Sequence, residues 1–466
     1  MQTDPQFPLQ AAARRCLPTD DALRLELHNE VHARPAARIR LPALITSVSV
    51  LNDGVSREQE AQHLRELSDL VQLRPEILHD NFVRLRADGF TLKWERHSEF
   101  TRYAVVQPLP AHAWLGAVEP DLLADLAVPQ DWLRRIPGRT LSAVQMAMVQ
   151  SPLDDAVDLM AQAKTWLGGG SVVASLMGNA AGDVAAHAEG LRGYAHPVGH
   201  SWVLTQFELL PDGFERMLVI APENTSETRV GRIAVRLLEI ETYRIMALRG
   251  LPVAKALGPM LTSAEAALAD FTAQLESKRA SDQDLLDALV SLAASVERAT
   301  AENTYRFAAT QAYYGLVEQR LAGMREKAIP STQTLGEFML RRLSPAMATV
   351  AATAERLASL SARVARTSDL LRTRVDIATE VQSQQLLAKL TRGQELQLRL
   401  QSTVEGLSIA AISYYVISLL LYGGKALKAA GLPINPELAA GASVPVVLWV
   451  VWHITRRIHA KFHLEK

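Results

Sequence analysis

The pattern of apolar and polar positions divides the chain into stretches of different period. Over residues 44–51, 81–87, 90–97, 99–107, 140–149, 171–177, 201–210 and 214–220 the apolar side chains come in short runs or alternate with polar ones, as in strands. Asp88-Gly89 is a two-residue hairpin signal between the second and third runs, and Pro211-Asp212-Gly213 joins the last two. Ser56 and Gln59 form a capping box opening a helix whose Ala61, Leu64, Leu67 and Val71 share one stripe. Further helices are predicted over 121–135 and 154–167. Residues 1–225 thus read as one mixed α/β domain, or as two halves meeting near residue 138.

From Glu227 the period becomes helical, over 227–251, 263–300 and 304–327, with stops at Pro252 and Ile329-Pro330. Thr334 and Glu337 make a second capping box, before a short helix expected to end near Ser344-Pro345. Leu343, Met347, Val350, Ala354, Leu357, Ser361, Val364, Ser368, Leu371, Val375 and Ala378 then alternate steps of four and three, the seam of a coiled coil. Its two serines weaken the seam. A self-associating stalk and an intramolecular bundle both stay open for 226–404. Arg356, Arg363, Arg366, Arg372 and Arg374 read as a solvated face.

Residues 406–424 carry no charge, and 438–455 carry none unless His453 is protonated. Each has about the ~17–20 residues a helix needs to cross hydrocarbon. A transmembrane hairpin over 405–455 and a tail over 456–466 are expected, with membrane lipid as a partner. Lys389, Arg392 and Arg399 precede the hairpin, and Arg456, Arg457, Lys461 and Lys466 follow it, against Lys425 and Lys428 in its loop. This bias places both ends, and the bulk of the chain, on the cytoplasmic side. The opening residues lack a signal-peptide core. Trp449, Trp452 and Tyr422 suit interfacial anchors. Ser408, Ala411, Tyr415, Ser418 and Tyr422 recur at heptad-like spacing in the first span. Such a polar stripe faces protein or water, either in a homo-oligomer or against Gly441, Ala442 and Ser443 of the second span.

A formal net charge of −1 gives no reason to expect nucleic acid as a partner. Cys16 is the only cysteine, which excludes an internal disulfide and a cysteine-built zinc site. The one candidate metal set is His28, Glu30 and His32, on a segment that reads as strand or helix; on a strand all three point one way, on a helix only the histidines do. Two imidazoles and a carboxylate suit a divalent metal, and the alternative is a turn shaped by His32, Arg34 and Pro35. His187, His196 and His200 lie in a Gly- and Pro-containing loop and are candidates to join that site. Gly168-Gly169-Gly170-Ser171 lacks the lysine of a phosphate loop and reads as a helix stop. No GxSxG elbow occurs.

The run His28-Asn29-Glu30-Val31-His32-Ala33-Arg34-Pro35 resembles the HNExHARP signature of a bacterial membrane-anchored family, domain of unknown function 3422. Residues 232–248 and 404–415 resemble it too, so the likeness spans nearly the whole chain. It implies a membrane anchor, here in the bacterial inner membrane, and carries no activity. The layout also resembles CorA-type magnesium transporters, with Tyr422-Gly423-Gly424-Lys425 at the place of that family's Tyr-Gly-Met-Asn; Lys425 at a cation entrance departs from it. The expected fold class is α+β: an N-terminal mixed α/β domain, a helical bundle with a long coiled-coil-like stalk, and a two-helix hairpin. The expected function is a self-associating membrane platform, with an ion transporter and a metal-dependent enzyme as alternatives.

Overall fold

The computed structural model describes residues 21–24, 38–67, 81–152, 156–177, 200–223, 225–277, 281–430 and 435–462. In chain order its elements are β1 (Ala43–Leu51), α1 (Arg57–Arg65), β2 (Phe82–Ala87), β3 (Phe90–Arg96), β4 (Phe100–Pro108), α2 (Gln130–Arg134), β5 (Arg139–Gln150), α3 (Ala156–Leu167), β6 (Val173–Met177), β7 (Ser201–Leu209), β8 (Glu215–Ala221), α4 (Glu227–Leu248), α5 (Gly250–Ser277), α6 (Asp282–Met324), β9 (Glu326–Ala328), α7 (Leu335–Ala429) and α8 (Pro436–Phe462). They divide between two compact units, one within Met1–Asp270 and Ser291–Val364, the other within Phe271–Val290 and Ala365–Lys466. The architecture is α+β, as its pattern predicts.

In the first unit the strands join in one nine-stranded sheet, ordered β2-β3-β4-β1-β5-β8-β7-β6-β9. Every named pair is antiparallel except β5 and β8. The central β1 is buried on both faces because each face is covered. On one face Ile45, Met146, Met217 and Val219 pack against Val230, Ala234 and Leu237 of α4. The other face carries two clusters. Leu64 of α1 and Trp132 of α2 pack over Val48, Trp94 and Tyr103, while Trp166 of α3 packs over Leu44, Ala147 and Trp202. The indoles of Trp132 and Trp166 donate to the carbonyls of His63 (2.9 Å) and Ala113 (3.2 Å), satisfying their buried N–H groups.

The Ser56–Gln59 capping box forms, as does the one at Thr334 and Glu337, where each partner donates a backbone N–H to the other's side chain at 3.1 Å. Several helix boundaries differ from the pattern. The stretches read as 263–300 and 304–327 belong to α5, which ends at Ser277, and to α6, which runs unbroken from Asp282 to Met324. Residues 121–135 are helical only over Gln130–Arg134, because Pro129 cannot sit inside a helix and disfavours helical backbone before it. The preceding loop is held instead by Gln107, whose side chain donates to Asp125 O and accepts from Ala127 N. Pro252 ends no helix: it stands in the first turn of α5, where a missing N–H costs least. Pro345 does not stop α7, which runs through it with Leu343, Met347 and Val350 buried on one side. That burial offsets the ~3 kcal/mol an interior proline costs.

The predicted seam is buried within the chain as far as Leu371. In the first unit Leu343, Met347, Val350, Leu357 and Val364 are buried, Tyr314 of α6 meets Ser344 at 3.0 Å, and Arg356 bridges to Glu265 of α5. In the second unit Leu371 is buried and Arg374 reaches Asp282 and the Leu275 carbonyl. Past Val375 the α7 side chains are exposed through Val404.

Candidate functional site

Strand register collects one set of chain ends at a single edge of the first unit. Ala43, where β1 begins, pairs with Pro108 and Met148, where β4 and β5 are finishing. Gln150 pairs with Ala221, Trp202 with Ile220, and Met177 with Ser201, so β8 and β6 finish there too and β7 begins there. The N-terminus of α4 is tied to the same edge by the bond from Ile39 N to Glu227 O, 3.1 Å.

This edge is rich in arginine. Arg38, Arg40, Arg84 and Arg86 line one hollow, together with Glu227. Burial, with Arg86 and Arg38 adding repulsion, holds the Arg84 guanidinium below its usual pKa. A second cavity, of about 260 Å3, is lined by Arg229, Arg232 and Arg236 of α4, by Gly323 and Met324 at the end of α6 with Arg325 following, and by Met177 and Ile233. Steps of three and four put the first three arginines on one helix face, while Val230, Ala234 and Leu237 turn to the sheet. Arg229 donates to Met177 O at 3.4 Å and Arg236 to Gly323 O at 2.7 Å. Arg325 has φ of 48°, an uncommon left-handed backbone for a residue other than glycine. Burial and then the neighbouring Arg232 hold Arg229 below the usual guanidinium pKa.

Under the C-terminal half of α4 lies a layer of buried charge. Arg244 donates to both Glu241 and Glu215, the latter at 3.0 Å. Burial first, and then the charge of Glu241, push the Glu215 carboxyl up to about 8 against the pull of Arg244. Across the sheet Glu95 meets Lys93 (2.8 Å) and Arg102 (3.5 Å). Burial works to raise Glu95, but the two cations outweigh it and its pKa falls below the ordinary carboxylate value. Arg102 also donates to Thr242 of α4 at 3.0 Å. Paired and bonded in this way, these groups fix α4 on the sheet and present little to solvent.

The sequence-predicted residues fall differently. His28, Glu30, His32, Arg34 and Pro35 lie outside the described residues, as do His187 and His196. His200 is buried at the start of β7, and among the described residues no cluster of His, Cys, Asp or Glu is arranged to hold a metal. Of the described residues flanking the two histidine-bearing segments, Arg38, Met177 and His200 stand at the arginine-rich edge.

In the second unit the two apolar helices exist where predicted: windows of α7 and α8 have mean hydropathy 1.8 and 1.7, long and apolar enough to cross a membrane. Ser413 of the first span is buried, 2% exposed, and so are Ala440 and Val447 of α8. The polar stripe is largely exposed. Tyr415 and Tyr422 are 67% and 68% exposed, Ser408 is exposed and bonds its own helix at Val404 O, and Ser418 is half-buried. Of the second-span residues offered as partners for the stripe, Gly441 and Ala442 are exposed and Ser443 is half-buried. Lys425 lies 5.9 Å from the Tyr422 ring. Arg456, Arg457 and Lys461 lie in the last turns of α8.

Sequence reasoning missed the arginine-lined cavity. The signal was present in Arg229-Val230-Gly231-Arg232 and Arg236, basic residues at helical spacing on the polar side of an otherwise buried helix. Arg325 carried no signal, since only the chain reversal after α6 brings it there.

These features define an α+β protein with an arginine-rich sheet edge and a C-terminal pair of apolar helices. The model of the family described as Protein of unknown function (DUF3422) matches residues 19–462, and the chain belongs to that family. No curated protein and no solved structure matches it.

Proposed function

We propose that this protein is a membrane-anchored platform that assembles with copies of itself. The C-terminal hairpin crosses the bacterial inner membrane, the sheet-bearing unit stands on the cytoplasmic side, and copies meet through the first span and the end of the stalk. The observation carrying this reading is the exposed stripe: Tyr415 and Tyr422 are 67% and 68% exposed on a span that buries Ser413. In hydrocarbon, a face of serine and tyrosine hydroxyls gains by meeting a like face across which they hydrogen-bond. Ile377, Val381, Leu386, Leu390 and Leu398, exposed on the preceding water-side segment of α7, favour the same association.

The test is the mass of the protein in nanodiscs or mild detergent. A defined oligomer is expected, falling to smaller species in a Ser408→Ala, Tyr415→Leu, Tyr422→Leu variant. A monomeric wild type overturns the reading. A closed ring would turn the stripe toward its axis, and this favours a second reading, an ion-conducting assembly. Flux through liposome-reconstituted protein that the same variant abolishes would support it.

A further inference from the structure

We propose that the cavity between α4 and the α6–β9 turn is a binding site for a compact phosphate group, a pyrophosphate or a terminal phosphomonoester. Among the described residues that line it are four guanidinium groups, from Arg229, Arg232, Arg236 and Arg325, and no carboxylate. Arg232 and Arg325 make no ion pair among the described residues.

Three features distinguish this cavity from an ordinary solvated arginine face. Its cations come from two separate elements that tertiary folding brings together. Two of them are already oriented: Arg229 is bonded to Met177 O and Arg236 to Gly323 O, so part of their side-chain entropy is spent before any ligand arrives. Third, the groups repel. Arg229 sits below its usual pKa through burial and through Arg232, a penalty that an anion between them relieves.

Guanidinium forks match phosphate oxygens in bidentate geometry and keep their charge at any cellular pH, so arginine is the residue suited to such recognition. The volume, about 260 Å3, lies just under the ~300–1,000 Å3 of pockets that enclose whole drug-sized ligands. It therefore suits a charged headgroup whose remainder projects outward. That headgroup is either part of a soluble phosphorylated molecule or the head of a phospholipid.

The experiment is calorimetric titration of the full chain in phosphatidylcholine nanodiscs, with inorganic pyrophosphate in one arm and short-chain monomeric phosphatidate in the other. Saturable binding of pyrophosphate supports the proposal with a soluble source, and saturable binding of phosphatidate alone supports it with a lipid source. In either arm Arg232→Gln with Arg325→Gln is expected to weaken binding at least tenfold. Both side chains are exposed, so the fold is expected to survive, as an unchanged thermal midpoint without ligand would verify. Arg232→Lys, which keeps charge but loses the fork, should bind at intermediate strength. Arg134→Gln, at a distant exposed arginine paired with Asp131, should bind like the wild type. No saturable binding in either arm, or equal binding by the double variant, overturns the proposal.

Discussion

Trp132 and His63 are joined twice: their rings stack at 4.5 Å between centroids and 14° between planes, and the indole N–H donates to the His63 carbonyl at 2.9 Å. The pair closes the cluster between α1, α2 and the sheet, and it leaves His63 Nε2 buried with no hydrogen-bond partner among the described residues. Burial is the main reason that the His63 pKa falls from 6.5 to about 4; Glu66 pulls it up and Arg135 pushes it further down.

Stability should therefore depend on pH through His63. Above about pH 6.5 the ring is neutral in folded and unfolded chains alike, and nothing is lost. As pH falls from there toward 4, the unfolded chain takes up a proton that the folded chain refuses, and up to about 3 kcal/mol is lost. Urea unfolding followed by tryptophan fluorescence should show this loss between pH 7 and 5 in the wild type. In His63→Phe, which keeps the stack and removes the orphaned nitrogen, the slope should be much reduced. An equal slope in the two proteins would contradict the assignment.

Glu215 should act in the opposite direction. Its folded pKa is pushed up to about 8, so the folded chain keeps a proton that the unfolded chain releases near 4.5. The stability this gives is complete below 4.5 and is lost as pH rises through 8. Glu215→Gln cannot ionise, and is expected to match the wild type at pH 4 and exceed it at pH 9. Unfolding midpoints at those two values check this, and a variant less stable at pH 9 would rule it out.

Gly138 precedes β5 with φ of 119°, and a Cβ there would stand 2.5 Å from Leu51 O, a backbone atom that cannot swing aside. Gly138→Ala is expected to cost about 2 kcal/mol or more, from strained backbone plus displacement of β1. A thermal midpoint within 1 °C of the wild type would refute it.

Leu371 and Leu390 sit on the same helix in opposite circumstances, 1% and 58% exposed. Leu371→Ala should destabilise the second unit by about 2–5 kcal/mol through the cavity it leaves. Leu390→Ala should change folding by less than ~0.5 kcal/mol while shifting assemblies toward smaller species. Hydrogen exchange over α7 and mass measurement separate the two effects, and loss of protection in Leu390→Ala alone would reverse the argument.

Much of the fold was legible because its signals are local. Asp88-Gly89 turns β2 into β3 with Gly89 at φ of 80°, and Ser56 and Thr334 open their helices through residues three positions on. Strand β9 was not legible. Its Glu-Lys-Ala has no strand pattern; Glu326 joins the sheet because it accepts from Ser175, 151 residues away, and from Gly336 N. Pro345 misled for the same reason, since its cost is local and the burial that offsets it is not. For the candidate site, the helical spacing of Arg229, Arg232 and Arg236 could be read from the chain, but their convergence with Arg325 could not.

By itself, then, the sequence determined the periods: strands first, helices after, two uncharged spans at the end, because periodicity and span length are set by neighbouring residues and the geometry of one element. Only the tertiary structure decided which faces meet. It buried the α7 seam within the chain as far as Leu371, buried Ser413 while leaving Tyr415 and Tyr422 exposed, and gathered arginines from α4 and the end of α6 around one cavity. Each of these choices depends on contacts between residues far apart in sequence, whose energies are settled only when the whole set of surfaces packs together.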